Sequence, residues 1–286
     1  MKDRHTLEDA LKNAKLYLKQ LNIVDNEVDA WQLMSYSFNI SRSEYYMNLT
    51  KELSEEEYET YMELIRMRGE HIPLQYITGE QEFMGLTFKV SSDVLIPRFD
   101  TEILVDEVLK VSKDKDILDI CTGSGCIILS LSKLGNIKSG VGVDISQKAL
   151  SIAKMNGERL NSPVTFILSD MFTNVSGKYD IIVSNPPYIP TKDIKDLMDE
   201  VKIHEPFIAL DGKADGLFFY KKIIKDLPKF LRPNGEIYLE IGYDQGEQVS
   251  ELLREENFTN IKVIKDLAKL DRVVKATYSN YSEHFT

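Results

Sequence analysis

The residues best suited to chemistry are Asn185-Pro186-Pro187-Tyr188. They follow Tyr179-Asp180-Ile181-Ile182-Val183-Ser184, an apolar β-branched run of strand character, and two prolines rule out continuation as a central strand. Asn185 is therefore expected at a strand's carboxyl end, held by two φ-restricted residues beside an aromatic face. Its side-chain oxygen and a carbonyl of the Pro186-Pro187 segment can accept hydrogen bonds from an NH₂ group on a planar carbon. Such a nitrogen gives its lone pair to the neighbouring π system, as a peptide nitrogen does, and is a poor nucleophile. Acceptors that strengthen as positive charge grows on nitrogen lower the barrier to its attack on an electrophile. Tyr188 offers a flat face on which the substrate can stack at a near-attack separation of ~3–3.5 Å. The bland alternative is that Asn-Pro-Pro merely punctuates a loop.

A second group of residues lies upstream. Asp116-Ile117-Leu118-Asp119-Ile120 reads as a short buried strand, Cys121-Thr122-Gly123-Ser124-Gly125 as a glycine-rich turn, and Cys126 to Leu134 as an apolar helix. Asp144 closes the next strand, roughly 20 positions on. A glycine turn opening a helix lets backbone approach a nucleotide, and an acidic residue at that distance can hold ribose hydroxyls. The turn lacks the third glycine of a dinucleotide site and the Lys-Ser/Thr of a phosphate-binding loop, which disfavours a pyrophosphate ligand. Cys121 and Cys126 are the only cysteines, with no His nearby. They make a poor metal set and are expected as small packing residues; no metal is expected.

Around these groups the chain alternates strand and helix. Further strands are expected at 141–144, 164–168, 179–183, 236–241, 261–265 and 272–277, with helices at 147–160, 216–230 and 245–256. That pattern predicts an α/β fold, a doubly wound, mostly parallel seven-stranded sheet of Rossmann-like type. Residues 1 to about 70 read instead as helices. Leu7, Leu11, Ala14, Leu18 and Leu21 form one seam, Val28, Trp31, Met34 and Phe38 a second, and Tyr58, Tyr61, Met62 and Ile65 a third. Ser54 with Glu57 is a capping box and Gly69 a stop. Between the two regions, strands Phe83–Val90 and Val94–Ile96 around Ser91-Ser92-Asp93 would make a hairpin linker. Asp100 and Thr101 are candidate caps for the helix after it. The expected domains are a helical docking domain at 1–80, a hairpin linker at 81–100 and a catalytic domain at 101–286.

Composition narrows the partners. The 286 residues carry a formal net charge of −11, with 43% hydrophobic residues. Broad binding of a phosphate backbone needs a basic face, so direct nucleic-acid binding is not expected. No apolar run approaches the ~18 residues of a membrane span. Met1-Lys2-Asp3-Arg4-His5-Thr6 lacks the apolar core of a secretory leader, and with two cysteines this points to the cytoplasm. Through residue 85 there are nine basic and sixteen acidic residues. The helical region is thus either a solubilising cap or a docking module for a basic partner.

At Leu118 to Gly125 the chain resembles the class I S-adenosylmethionine-dependent methyltransferases. Over nearly its whole length it resembles the peptide chain release factor N5-glutamine methyltransferases (HemK/PrmC type). The matching stretches, beyond Asn185 to Tyr188, are Gln75-Tyr76-Ile77-Thr78-Gly79, Leu95 to Glu102, His204-Glu205-Pro206, Asp215-Gly216-Leu217, Leu239-Glu240-Ile241-Gly242 and Asp271-Arg272-Val273-Val274. The resemblance implies methylation of the glutamine side-chain amide in the Gly-Gly-Gln loop of class I release factors; a monomer is expected. It implies S-adenosyl-L-methionine as methyl source and S-adenosyl-L-homocysteine as product. Cys121, Thr122, Gly123, Ser124 and Gly125 would line the cofactor, Asp144 its ribose, Asp170 and Met171 its adenine, with Asn185 adjoining. Asn185, Pro186, Pro187 and Tyr188 would hold the glutamine. The tetrapeptide by itself fits equally an amino-methyltransferase acting on an extruded adenine or cytosine in DNA or RNA, and the fold alone fits a non-enzymatic cofactor-binding module. The chain departs from the family pattern at Phe99, usually Pro, at Cys121, commonly Gly, at Met171, usually aromatic, and at Ala268-Lys269-Leu270, where a Gly usually precedes the Asp-Arg pair. His204-Glu205-Pro206, with one His and no second ligand, is expected to shape the loop over the site.

Overall fold

A computed structural model describes residues 5–279. Met1-Lys2-Asp3-Arg4, on which the leader argument rests, lie outside the described residues. The chain forms two units: one runs to Gly79 and takes in Met198–His204, and the other holds Glu80–Leu197 and the chain from Glu205 on.

The first unit orders β1 (His5–Thr6), α1 (Leu7–Gln20), α2 (Asn26–Phe38), α3 (Arg42–Met47), β2 (Glu52–Leu53), α4 (Glu55–Gly69) and α5 (Leu74–Thr78). Thr6, Ser41 and Ser54 open α1, α3 and α4 with capping boxes, each satisfying backbone donors that the first turn leaves orphaned. The α1 seam is as expected, with Leu7, Leu11, Ala14 and Leu18 buried, except that Leu21 is exposed. On α2 the buried face is turned: Val28 is exposed and Asp29 buried. The cause is an ion pair. Arg68 Nε meets Asp29 Oδ2 at 2.7 Å, and Arg68 Nη2 meets Glu200 Oε2 at 2.7 Å.

The second unit begins with the hairpin β3 (Glu80–Phe83) and β4 (Leu86–Lys89), paired with Phe83 opposite Leu86. Its turn is Met84-Gly85, not Ser91-Ser92-Asp93, and Val94–Ile96 forms no strand. Both turn residues have positive φ, +53° and +70°, the mirror-image turn whose twist suits a two-residue hairpin. Then come α6 (Phe99–Leu109), β5 (Asp116–Ile120), α7 (Cys126–Leu134), β6 (Ser139–Asp144), α8 (Gln147–Arg159), β7 (Thr165–Leu168), β8 (Tyr179–Ser184) and a 3₁₀ turn (Thr191–Asp196). Arg98 occupies the N-cap position of α6 without a side-chain cap bond, so Asp100 and Thr101 lie in its first turn rather than at the cap. After α9 (Asp199–His204), part of the first unit, follow α10 (Phe207–Leu210), α11 (Phe218–Phe230), β9 (Leu231–Glu240), α12 (Gly246–Glu255), β10 (Phe258–Lys265) and β11 (Asp271–Tyr278).

The sheet has seven strands in the order β10-β11-β9-β8-β5-β6-β7. β9 to β7 run parallel, and β11 is antiparallel to both its neighbours. Successive side chains on a strand face opposite sides. Leu118, Ile182 and Ile237 therefore share a core with α11 and α12 through Tyr220, Ile224 and Leu253. Ile117, Ile181 and Val183 share another with α6 and α7 through Leu104, Val108 and Ile128, and Phe83 and Phe88 of the hairpin join it.

Candidate active site

The candidate residues hang from the carboxyl ends of β5 to β9. β5 stands between β6 and β8, so the chain leaves it in one direction through β6 and β7 and returns on the other side through β8 and β9. At such a reversal the loops part and open a crevice. The registers keep the tips level: Ile120 lies opposite both Val143 and Ser184, and Asp144 opposite Leu168. The Ser184 hydroxyl donates to the Ile120 carbonyl at 2.6 Å, joining the strand that leads to Asn185 to the one that leads to the glycine turn.

The turn needs its glycines for different reasons. Gly125, at φ +80°, precedes α7, and a Cβ there would stand 3.0 Å from Leu129 and 3.3 Å from Ala153 and Phe166. Gly123, at φ +55°, borders open space, with nothing within 4 Å of an added Cβ. Its N–H donates to Asp144 Oδ2 at 2.9 Å, and the Ser146 N–H donates to Asp144 Oδ1 at 2.9 Å. One backbone donor thus fixes each carboxylate oxygen and leaves further lone pairs on both. Burial raises the Asp144 pKa, opposed by these N–H bonds. Beneath the turn, the Thr122 hydroxyl donates to Asp119 Oδ2 at 2.6 Å. Asp119 is fully buried, and burial pushes its carboxyl up to about 7. Cys121 has φ +61° and Met171 φ +46°, left-handed conformations unusual for residues with side chains. Burial raises both thiols, that of Cys126 to about 12.

A cavity of about 310 Å³ is lined by Cys121, Thr122, Gly123, Ser124, Asp144, Asp170, Met171, Asn185 and Pro187. Gly125 and Pro186 are buried and Tyr188 is partly buried, and none of the three reaches its wall. Tyr188 packs on the core, and its carbonyl accepts from Gln245 Nε2 at 3.0 Å. Asn185 Nδ2 donates to Thr101 Oγ1 at 3.3 Å. The wall also includes Arg98, Thr101, Ile145, Phe218 and Phe219, which the sequence reading did not single out as site residues. Two of them had a signal: Arg98 and Thr101 lie in the charged stretch after Pro97. Glu205 is buried, bonded to Arg98 and to the Ile96 N–H at 3.4 Å, and the His204 ring nitrogen lies 3.2 Å from the Glu70 carbonyl.

The family model described as PrmC N-terminal domain matches residues 9–79, and that described as methyltransferase small domain matches residues 97–205. The release factor glutamine methyltransferases of Clostridium acetobutylicum and Clostridium botulinum are 41% and 42% identical to this chain over 278 residues, covering 94% of it and 98% of each relative. The protein of that name from Bacillus subtilis is 36% identical over 282 residues, covering 95% of this chain and 97% of its own. A solved methyltransferase from Pyrococcus furiosus shares the fold, with a TM-score of 0.54, 19% identity, and coverage of 68% of this chain and 90% of that one. With relatives this similar over almost its entire length, the chain belongs to the release factor glutamine methyltransferase family.

Proposed function

We propose that the protein transfers a methyl group from S-adenosylmethionine to the side-chain amide nitrogen of the glutamine in the Gly-Gly-Gln motif of class I release factors. The observation that carries this reading is that Asn185 and Pro187 line the same cavity as the Cys121–Ser124 turn and Asp144. An acceptor site for a planar NH₂ and a nucleotide-type site thus open on one another.

The residues present fit the cofactor. Asp144 keeps lone pairs for a ribose diol, Gly123 leaves space beside the turn, and Met171 and Ile145 give apolar surface for a base. When bound, S-adenosylmethionine supplies an electrophilic methyl carbon: as nitrogen's lone pair forms the N–C bond, the C–S electron pair passes to sulfur and leaves neutral S-adenosylhomocysteine. Asn185 Oδ1 and a carbonyl of the Pro186-Pro187 segment accept the hydrogens of the glutamine NH₂. Both bonds strengthen as that nitrogen becomes cationic, which lowers the barrier. Tyr188 stays protonated, since burial raises its phenol, and it packs on the core behind the cavity wall rather than acting as a base. The surplus N–H proton leaves to water after transfer.

The helical unit is the docking module, its acidic surface suited to a basic partner. The protein acts as a cytoplasmic monomer without direct nucleic-acid contact, in keeping with a net charge of −11. No helix among the described residues is long and apolar enough to cross a membrane. The Asn185→Ala variant tests the mechanism: S-adenosylhomocysteine affinity, read by calorimetry, largely survives while turnover collapses. Full turnover in that variant contradicts the mechanism.

A further inference from the structure

Behind Asn185 lies a buried carboxyl to which the sequence reading gave no role. Glu240 ends β9 next to β8 and is 1% exposed. The side chains of Thr101, 2% exposed, and Asn185 lie against it and favour its carboxylate form. Its Oε2 has no partner among the described residues. Asn185 Nδ2 also donates to Thr101 Oγ1 at 3.3 Å. The Asn185 amide has two N–H hydrogens: Thr101 takes one, and the Glu240 carboxylate, with its unpartnered Oε2, is the acceptor beside it for the other. Thr101 accepts with its oxygen and so has its own hydrogen free to give to the carboxylate.

We infer that Glu240 is a positioning residue for the reaction: its carboxylate, an acceptor with no hydrogen to give, draws the Thr101 and Asn185 hydrogens inward and so fixes the Asn185 amide with its oxygen toward the cavity. An amide has two nearly isosteric ends, and only an acceptor-only partner distinguishes them without ambiguity. The wrong orientation would present NH₂ to the substrate NH₂, a repulsion in place of an acceptor. The negative charge behind Asn185 also polarises its carbonyl toward the nitrogen that becomes cationic. The inference rests on the proposed methyl transfer to a planar amide.

The carboxyl's surroundings give the inference a pH signature. Burial raises Glu240 to about 7, opposed by the neighbouring Thr101, Arg272 of β11 and Asn185, and reinforced by Asp100 of α6. Tyr188, Tyr220 of α11 and Cys126 of α7 also face it. Burial raises all three, so they remain neutral across the neutral range. Turnover therefore falls as pH drops through about 7, where Glu240 takes up a proton.

The test compares wild type with Glu240→Gln, Thr101→Val and Thr101→Ser in the full chain, with a recombinant release factor as acceptor. In Glu240→Gln, kcat falls on the order of 10- to 100-fold, with little change in KM or in S-adenosylhomocysteine affinity measured by calorimetry. Its kcat also loses the acid limb that wild type shows near neutral pH. Thr101→Val behaves similarly, and Thr101→Ser, which keeps the hydroxyl, recovers most of the lost turnover. Wild-type kcat and pH profile in Glu240→Gln overturn the inference and leave the methyl-transfer reading intact. If Glu240→Gln instead loses cofactor affinity and turnover together, the threonine pair decides: equal turnover in Thr101→Val and Thr101→Ser overturns the inference, and rescue by Ser alone supports it. A wild type that labels no release factor overturns both the reading and the inference.

Discussion

Gln245 Nε2 donates to the Tyr188 carbonyl at 3.0 Å, while its Oε1 accepts the Gly242 N–H at 2.9 Å and lies 3.4 Å from the Tyr220 hydroxyl. One buried amide thus ties the segment after β8 to the start of α12. Gly216 closes in on the same spot, since a Cβ there would come within 2.4 Å of the Tyr188 carbonyl. Gln245→Leu removes the side-chain partner of the partly buried Tyr188 carbonyl and Gly242 N–H, at a cost of about 1 kcal/mol. The denaturation midpoint should fall accordingly. Turnover should fall further than cofactor affinity if, as proposed, the segment that loosens is the one that holds the substrate.

Arg68 and Asp29, both buried, form the ion pair that turns α2. Burial raises the Asp29 carboxyl, and Arg68 opposes it through a hydrogen bond and its charge. Removing the cation strands that carboxyl and also releases Glu200. Arg68→Ala is expected to destabilise the helical unit by about 3–5 kcal/mol. The double replacement Asp29→Leu with Arg68→Met should recover much of that loss. Chemical denaturation of the three variants checks both statements, and an Arg68→Ala variant as stable as wild type contradicts them.

Asp119 and Glu240 are each raised to about 7, principally by burial. Unfolded carboxyls titrate at about 4. Between those values the native state holds protons that the unfolded chain has released, so this contribution to stability is complete below about pH 4 and is lost as pH rises through about 7. Unfolding free energy should be lower at about pH 8 than at about pH 5, by roughly 4–5 kcal/mol, since each of the two groups contributes about 1.4 kcal/mol per pH unit over the roughly two units between about pH 5 and 7. Urea midpoints at the two pH values measure this directly, and a rise toward pH 8 runs against it.

Cys121 sits at φ +61°, a conformation that disfavours any Cβ and β-branched side chains most of all. Cys121→Val is expected to cost about 2 kcal/mol or more, and Cys121→Gly to stay within about 1 kcal/mol of wild type. Relief of strain there offsets the extra freedom of the unfolded chain. Thermal unfolding of the two variants reads the asymmetry.

How far these features were legible depends on their reach along the chain. The buried strands β5 and β8 announce themselves as apolar β-branched runs, and Asp144 and Asn185 could be located because each directly follows or ends such a run. Helix α4 was legible from the Ser54-Glu57 capping box, a signal three residues wide. The short helices α3 and α5, of six and five residues, are too brief to show a period. The hairpin was misplaced because Met84 is not a residue that advertises a left-handed turn. Asp29 and Arg68 meet across 39 positions and Thr101 and Asn185 across 84. Pairings of that kind are made by the packing of whole elements and leave no local pattern to read.

The central claim is tested most directly by one methyl-transfer assay with labelled S-adenosylmethionine. It offers in parallel a recombinant release factor, the same factor with its Gly-Gly-Gln glutamine replaced, and unmethylated DNA and RNA. Label is expected on the intact factor alone. Label on the substituted factor, or on nucleic acid in place of the factor, would contradict it.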